Sequence, residues 1–302
     1  MKKYIILLVV FAFATQLFAQ EETEKVKDTP VSNPFESGIL IDAQTTVIPD
    51  AKTLEFLIQH KFGTMDNGRS DLWGLYAPGA NVRLALNYTP VKNFQIGIGQ
   101  TKKNMYTDLN AKWTIFHQTE QNKVPVSVAL YGVVAVDGRN VDQFGTGKVV
   151  DTQGEALPTY IDLNDRLSYF SQIIIGRKFC DWFSLQAGAS FTHYNMVTMD
   201  SNHDVVGIHV NGRVKFSPQG SFIFNYDHPL EIESITEQSP WDTKAKPNLA
   251  FGVEIFTFTH AFQIYVGTAD GIIPQDAMMN NQNDWKNKGL ALGFTITRLW
   301  MF

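Results

Sequence analysis

Polar and apolar residues alternate with a period of two along most of this chain, in short segments separated by polar junctions. In residues 80–88, one face carries Val82, Leu84, Leu86 and Tyr88, and the other carries Asn81, Arg83, Ala85 and Asn87. Such alternation indicates β-strands whose two faces meet different surroundings. The pattern predicts twelve strands, near residues 52–62, 80–88, 93–101, 105–118, 124–136, 166–179, 182–194, 204–216, 220–227, 248–259, 261–268 and 289–302.

The junctions separate a membrane barrel from a soluble β-sandwich, which would show the same alternation. Short junctions at 89–92, 119–123, 180–181, 217–219 and 260 alternate with long ones at 63–79, 137–165, 195–203, 228–247 and 269–288. Only the junction at 102–104 is short where a long one is expected. Alternate junctions of an antiparallel meander lie on opposite rims, and outer-membrane barrels have short periplasmic turns and longer outer loops. The chain is therefore predicted to be all-β, a transmembrane antiparallel up-and-down β-barrel of about 12 strands.

Both ends of the chain agree with export to the outer membrane. Residues 1–19 resemble a cleaved signal peptide, with Lys2 and Lys3 before an apolar stretch from Tyr4 to Ala14. The last strand ends on an aromatic residue and places these side chains on one face: Leu290, Leu292, Phe294, Ile296, Trp300 and Phe302. Such a strand is similar to the signal used by the barrel-insertion machinery. Twelve strands then place both ends of the mature chain in the periplasm.

The signal is predicted to be followed by a periplasmic N-terminal segment, residues 20–50, and by the barrel, residues 51–302. Residues 20–36 are polar and are expected to form a flexible lead. Residues 37–48 fit two alternatives, an extra strand or a segment inserted into the barrel mouth. The sequence supports both.

Composition narrows the classes of function. The chain has 25 Lys and Arg against 30 Asp and Glu, and its formal charge of −5 becomes −7 (−5 − 2) without the two lysines of the signal. An acidic chain with no basic stripe argues against nucleic-acid binding. The single cysteine, Cys180, has no intrachain disulfide partner. No apolar run after the signal reaches the ~20 residues of a membrane helix, and no cofactor is implied.

Four stretches carry a recognisable pattern, and the sharpest is His60-Lys61-Phe62-Gly63, within residues 54–63. The others are residues 72–76 (LWGLY), 80–88 (ANVRLALNY) and 95–99 (QIGIG). Together they resemble an uncharacterised outer-membrane β-barrel family best known from Bacteroidota-type bacteria, and the resemblance extends over most of the chain from about Phe35. It implies the barrel fold and the outer-membrane location. It implies no activity.

The polar faces of the strands supply the candidate functional residues. Ten side chains are predicted to line the lumen: Glu55, Gln59, Lys61, Arg83, Asp108, Lys112, His209, Arg213, Lys215 and Glu254. In one interpretation they line a water-filled pore and set its selectivity. In the other they pair across a lumen that is closed by its own side chains.

The long loops are acidic, which favours cations, or divalent ions that bridge lipopolysaccharide. Outer-membrane lipids and lipopolysaccharide are therefore the expected partners, and a protein partner is unknown. The loop clusters Asp200, His203 and Asp204, and Asp227 with His228, lack the further ligands of a recognisable metal site, so no metal is assigned.

Three functions remain. The favoured one is a narrow channel or passive transport pore for small solutes. The alternatives are a non-conducting scaffold that binds a partner through its outer loops or N-terminal segment, and an outer-membrane lipid hydrolase. A hydrolase would use His193 or His60 on the lipid face, but no serine is recognisable at a matching depth.

Overall fold

The computed structural model describes residues 28–144, 149–150, 161–198, 201–232, 235, 244–287 and 289–302. Twelve antiparallel strands in these residues form a closed barrel. They are β1 Thr53–Thr64, β2 Asn81–Val91, β3 Phe94–Thr101, β4 Thr107–Phe116, β5 Ser127–Val136, β6 Leu167–Cys180, β7 Phe183–Tyr194, β8 Asp204–Lys215, β9 Gly220–Leu230, β10 Asn248–Thr257, β11 His260–Gly267 and β12 Ala291–Met301. Each strand pairs with its neighbours in sequence, and β12 closes the barrel against β1.

The predicted fold is confirmed. Each predicted strand overlaps one observed strand, with ends that differ by a few residues. One rim, where β1 begins and β12 ends, carries mostly tight turns and is named the short-turn rim. The opposite rim, named the long-loop rim, carries the connections 65–80, 102–106, 137–166, 195–203, 231–247 and 268–290, of which 102–106 is the short one. The predicted signal peptide lies outside the described residues.

One turn of the short-turn rim is longer than predicted. The connection between β4 and β5 spans residues 117–126, because it pairs with the N-terminal segment. Pro30 bridges Thr119, and the amide of Val31 donates to the carbonyl of Gln118 at 2.8 Å. Residues 28–32 are therefore bound to this turn, which differs from the flexible lead expected for residues 20–36.

The remaining elements are short. Three 3-10 helices, Met65–Asp71, Lys103–Met105 and Val141–Gln143, lie on the long-loop rim. Helix α1, Pro274–Met279, begins with proline, whose missing N–H is not needed in the first turn. Two-residue strands form the pairs Ile39–Leu40 with Ala43–Gln44 and Val149–Val150 with Val197–Thr198. No helix among the described residues is long and apolar enough to span a membrane.

The outer face of the barrel is apolar. Large side chains such as Leu109, Phe251 and Ile264 are more than half exposed, as expected of side chains that face hydrocarbon. Trp182 and Trp300 lie exposed at the short-turn rim, where aromatic girdles occur. Burial alternates accordingly along the strands, as in β1, where every second residue is buried.

We expect a charge at mid-depth on this face to destabilise the protein in a membrane. Ile264 lies mid-way along β11 and is 64% exposed. Ile264→Arg should lower the free energy of unfolding in lipid vesicles by about 2–4 kcal/mol, because the bilayer midplane does not hydrate the guanidinium. Phe258→Arg, in the turn between β10 and β11, should cost only about 0–1 kcal/mol. Equal costs in urea titrations would contradict the assignment of this face to hydrocarbon.

Candidate functional site

The inner wall of the barrel is polar because every second residue of each strand points inward. The ten sequence-predicted side chains all lie on this inner face. Nine are buried and Lys215 is partly buried: Glu55, Gln59, Lys61, Arg83, Asp108, Lys112, His209, Arg213, Glu254 and Lys215. Alternation alone assigns them to this face. Which of them meet depends on the register between strands and on what fills the lumen.

The N-terminal segment fills the part of the lumen that is nearer the short-turn rim. Residues 33–47, named the plug, enter from this rim, turn back at a hairpin and return towards β1. Its apolar side chains Phe35, Leu40 and Ile41 pack on Ile223 and Tyr265 of the wall. Of the two alternatives for residues 37–48, the structure therefore shows the inserted segment.

The tip of the plug has a strained backbone. Ile41 has φ = 59°, in a region that strongly disfavours a β-branched residue. The wall holds it there, because the amide of Ile41 donates to Gln263 Oε1 at 2.7 Å and its carbonyl accepts from Thr295 Oγ1 at 3.2 Å. Such a conformation costs on the order of 1–3 kcal/mol.

A second insertion descends from the long-loop rim. Residues 268–281, named the loop insert, carry α1 into the barrel, where Met278 packs with Tyr131, Phe170 and Val205. Lys103, in the 3-10 helix of a neighbouring loop, lies 3.2 Å from Asp270 and 3.1 Å from Asp276 of this insert. Burial alone lowers the pKa of Lys103, but these two carboxylates outweigh it and raise the pKa above its ordinary value.

Both insertions meet on Lys61 of β1. Its Nζ lies 2.6 Å from Asp42 Oδ2 at the tip of the plug, and it donates to the carbonyls of Ala269 at 2.8 Å and Gly271 at 2.7 Å in the loop insert. Lys61 is buried, and these three contacts match the three donors of an ammonium group. One wall cation therefore connects the two insertions.

Three further wall cations bind the plug. Glu36 Oε1 accepts from Arg213 Nη1 at 2.7 Å and from Lys215 Nζ at 2.8 Å. Nearer the middle of the wall, Lys112 Nζ donates to the carbonyl of Gly38 at 2.9 Å and to Gln44 Oε1 at 3.1 Å. The plug thus supplies acceptors along most of its length.

The carboxylates of the wall are bound mainly by the wall itself. Asp108 accepts two hydrogen bonds from Arg83, at 2.8 and 2.7 Å. Glu55 Oε2 accepts from Asn87 on the neighbouring strand β2 at 2.8 Å and from Gln95 on the next strand, β3, at 3.1 Å. Glu254 Oε2 accepts from Gln263 at 2.7 Å, and also from Ser37 of the plug at 3.2 Å.

The insertions leave little free space inside the barrel. A cavity of about 40 Å³ lies between the plug, the loop insert and wall residues that include Arg83 and His209. It has room for one or a few water molecules. A larger cavity of about 270 Å³ lies at the long-loop rim and is lined by Lys103, Arg139 and Asp276 among others.

The register also assembles three residues that the sequence did not connect. His209 Nδ1 lies 2.7 Å from Asp227 Oδ1, and His209 Nε2 lies 2.7 Å from Ser190 Oγ. Asn225 and Asn248 donate to Asp227 Oδ2 at 2.7 and 2.9 Å. All of these side chains are buried. Ser190, His209 and Asp227 lie on three adjacent strands, and only the pairing between the strands reveals that they meet.

The two histidines proposed for a lipid hydrolase have other surroundings. His193 Nδ1 lies 2.7 Å from Asp204 Oδ1, and its Nε2 lies 3.0 Å from Asn195 Oδ1. The ring of His60 stacks on Phe294, with centroids 5.0 Å apart. Neither contact provides a serine nucleophile. Among the described residues, no group of three or more His, Cys, Asp or Glu could hold a metal ion.

Comparison with known families identifies the chain. Residues 35–300 match the family described as "Membrane bound beta barrel domain (DUF5777)". The chain belongs to this family. The match starts at the residue from which the resemblance was expected to run, and it confirms a membrane-bound β-barrel. A comparison with curated proteins gives no match.

Solved structures similar to this family member are outer-membrane barrels. The COG4313 outer membrane channel from Pseudomonas putida F1 is 12% identical, with a TM-score of 0.51 over 84% of this chain and 97% of that chain. The KdgM porin in complex with disordered oligogalacturonate is 6% identical, with a TM-score of 0.44 over 83% and 99%. The Pseudomonas putida toluene transporter TodX is 7% identical, with a TM-score of 0.33 over 84% and 89%. At these identities the likeness concerns the fold.

The Arg83–Asp108 pair provides a test of the wall. Arg83→Met leaves a buried carboxylate without its cation and should lower the free energy of unfolding by about 3–5 kcal/mol. The double variant Arg83→Met/Asp108→Leu removes both charges and should recover much of that loss. Urea titrations in detergent micelles measure both. If the double variant were as unstable as the single one, an uncompensated charge would not be the cause.

Proposed function

We propose that this protein is a gated channel for small solutes in the outer membrane, with the short-turn rim and both chain ends facing the periplasm. The plug closes it from the periplasmic side, and the loop insert narrows it from outside. Short periplasmic turns and longer outer loops support this orientation. The barrel from Pseudomonas putida F1 that shares the fold is named an outer membrane channel.

The observation that carries the proposal is the chemistry of the contacts between plug and wall. The plug is held by two carboxylates, Glu36 and Asp42, and by backbone acceptors that face wall cations. Buried ion pairs are weak devices for stability, because desolvation offsets much of the attraction and apolar packing serves as well or better. Buried ion pairs suit a plug that has to leave the lumen, because water that enters the lumen hydrates both charged partners.

The backbone strain at Ile41 also favours opening of the plug. Leaving the wall lets Ile41 relax from its positive φ, which returns part of the cost of opening. The plug has no covalent link to the lumen other than the chain that continues into β1. Its removal would leave a polar passage, since a twelve-stranded barrel lies between filled eight-stranded barrels and the wide porins.

The scaffold alternative has one observation in its favour, the filled lumen itself. In that alternative the plug never leaves, and the ion pairs are permanent. Conductance separates the two functions, because only a channel responds when the plug is weakened.

The plug can be weakened without changing the barrel. Glu36→Gln/Asp42→Asn keeps both shapes and removes both charges, which leaves Lys61, Arg213 and Lys215 uncompensated in the closed lumen. Losing one partner of a buried pair costs about 3 kcal/mol or more, roughly a hundredfold in the ratio of open to closed states. Planar-bilayer recordings should therefore show far more frequent opening than for the unaltered protein. Deleting residues 28–46 should hold the channel open.

Asp50→Asn is the control, because Asp50 is exposed, lies in the N-terminal segment just after the plug and loses a carboxylate charge in the same way as Asp42→Asn. It should leave the open probability unchanged. A synthetic peptide of residues 28–46, added at the short-turn side, should close the deletion variant again. Silence from deletion and double variants that both show the gel mobility of a folded barrel would exclude the channel and leave the scaffold.

A hydrolase remains a second candidate because of Ser190, His209 and Asp227. In a triad, Ser190 Oγ would attack an ester carbonyl, His209 Nε2 would accept the serine proton and pass it to the leaving alcohol, and Asp227 would orient the ring. Gln172 is the direct cross-strand neighbour of Ser190 and lines the same small cavity as His209, so we assign its amide as the donor to the oxyanion. Water would then release the acyl group.

Labelling with a fluorophosphonate tests this candidate on the full chain. An activated serine should be modified, and tandem mass spectrometry should find the adduct on Ser190. Ser190→Ala and His209→Gln should abolish it. If Ser190 remains unmodified both in the full chain and in the variant without residues 28–46, whose lumen is open, while a serine hydrolase in the same detergent reacts, the three residues form a structural network only.

A further inference from the structure

The positive and negative groups of the wall differ in where their partners come from. Lys61, Lys112, Arg213 and Lys215 have their partners on the plug, and Lys61 also binds two backbone carbonyls of the loop insert. The wall carboxylates Glu55, Asp108, Asp227 and Glu254 have donors on other strands of the wall. Departure of the plug therefore removes the plug partners of all four cations, and Lys61 keeps only the two carbonyls of the loop insert. The wall carboxylates keep their wall donors, although Glu254 loses its contact with Ser37.

From this asymmetry we infer that the open channel is selective for anions, and in particular for small organic carboxylates. The inference rests on the proposed channel function and names its class of solute. Glu36 and Asp42 of the plug are tethered carboxylates that occupy the sites where the carboxylates of a solute bind.

The geometry around Glu36 is that of a carboxylate site. A single oxygen, Oε1, accepts from both Arg213 and Lys215, at 2.7 and 2.8 Å. Arg213 also donates through Nη2 to the carbonyl of Asn33 in the plug. Its Nε is buried without an acceptor. Charge-assisted hydrogen bonds from arginine and lysine are the strong contacts of a carboxylate, and a free one presents a second oxygen for the remaining donor.

The cations stand at successive depths along the wall. Lys215 ends β8 at the short-turn rim and Arg213 lies two residues further in. Lys112 lies in the middle part of β4, and Lys61 lies towards the long-loop end of β1. Several moderate sites in series let an anion enter and leave, whereas one deep site would hold it. Arg83 lies on the same wall but stays neutralised by Asp108.

This assignment differs from what the loop composition suggests. The loops contain an excess of acids, which favours cations at the mouth. Selectivity is set where the passage is narrow and shielded from bulk water, because the field of a charge is least screened there. The wall of the lumen should therefore outweigh the loops.

Reversal potentials in a potassium chloride gradient test the inference. The deletion of residues 28–46 and the Glu36→Gln/Asp42→Asn variant should both prefer chloride over potassium. Adding Lys112→Gln and Lys215→Gln to the deletion variant should lower the chloride-to-potassium permeability ratio by about twofold or more, because two of the four freed cations are lost. Lys92→Gln, an exposed lysine in the tight turn after β2, is the matched control and should leave the ratio unchanged.

Succinate provides the second readout. Added to the bath, it should reduce the chloride current of the deletion variant, and the two lysine substitutions should weaken this block. A current that prefers potassium would overturn the inference of anion selectivity, and so would a chloride preference that both lysine substitutions leave unchanged. Neither result would contradict the proposed channel function. Folded variants without any current would overturn the channel proposal, and the selectivity with it.

Discussion

Hydrocarbon offers no acceptor to a backbone N–H and no donor to a carbonyl, and the architecture of this protein follows from that constraint. Each strand must be paired along both edges, so the sheet has to close, which it does where β12 meets β1. Closure creates an inner face that no lipid reaches. The same constraint that makes the outside apolar therefore leaves the inside free to be polar.

A polar interior of this width has to be filled by something that satisfies it. Wall side chains fill part of the space, and two chain segments fill most of the rest. Two kinds of contact hold these segments. Apolar residues such as Phe35 and Met278 pack against the wall, while ionic contacts determine the position of the segments. Lys61 joins the plug to the loop insert, so a movement of either one changes the environment of the other.

The candidate site separates what the sequence predicts about a side chain, its direction, from what it does not predict, its contact partners. Alternation assigned all ten lumen residues to the inner face, because side-chain direction in a strand depends only on parity. Their partners were not predictable. Lys61 and Asp42 are close in sequence but meet only because the plug enters the lumen, and Ser190, His209 and Asp227 meet only because three strands pair in one register. The histidines singled out from the lipid face, His193 and His60, proved to have unrelated contacts.

The sequence by itself determined the class of fold, the number of strands and the face to which each side chain belongs. These properties are local or periodic, because every second residue of a strand faces the medium outside the sheet and has the polarity that this medium favours. Only the tertiary structure decided that the lumen is filled, that residues 33–47 and 268–281 fill it, and that the wall cations depend on these insertions for their partners. Such facts arise from contacts between distant segments, and a polar inward residue has the same appearance in a sequence whether water, an insertion or a neighbouring strand satisfies it.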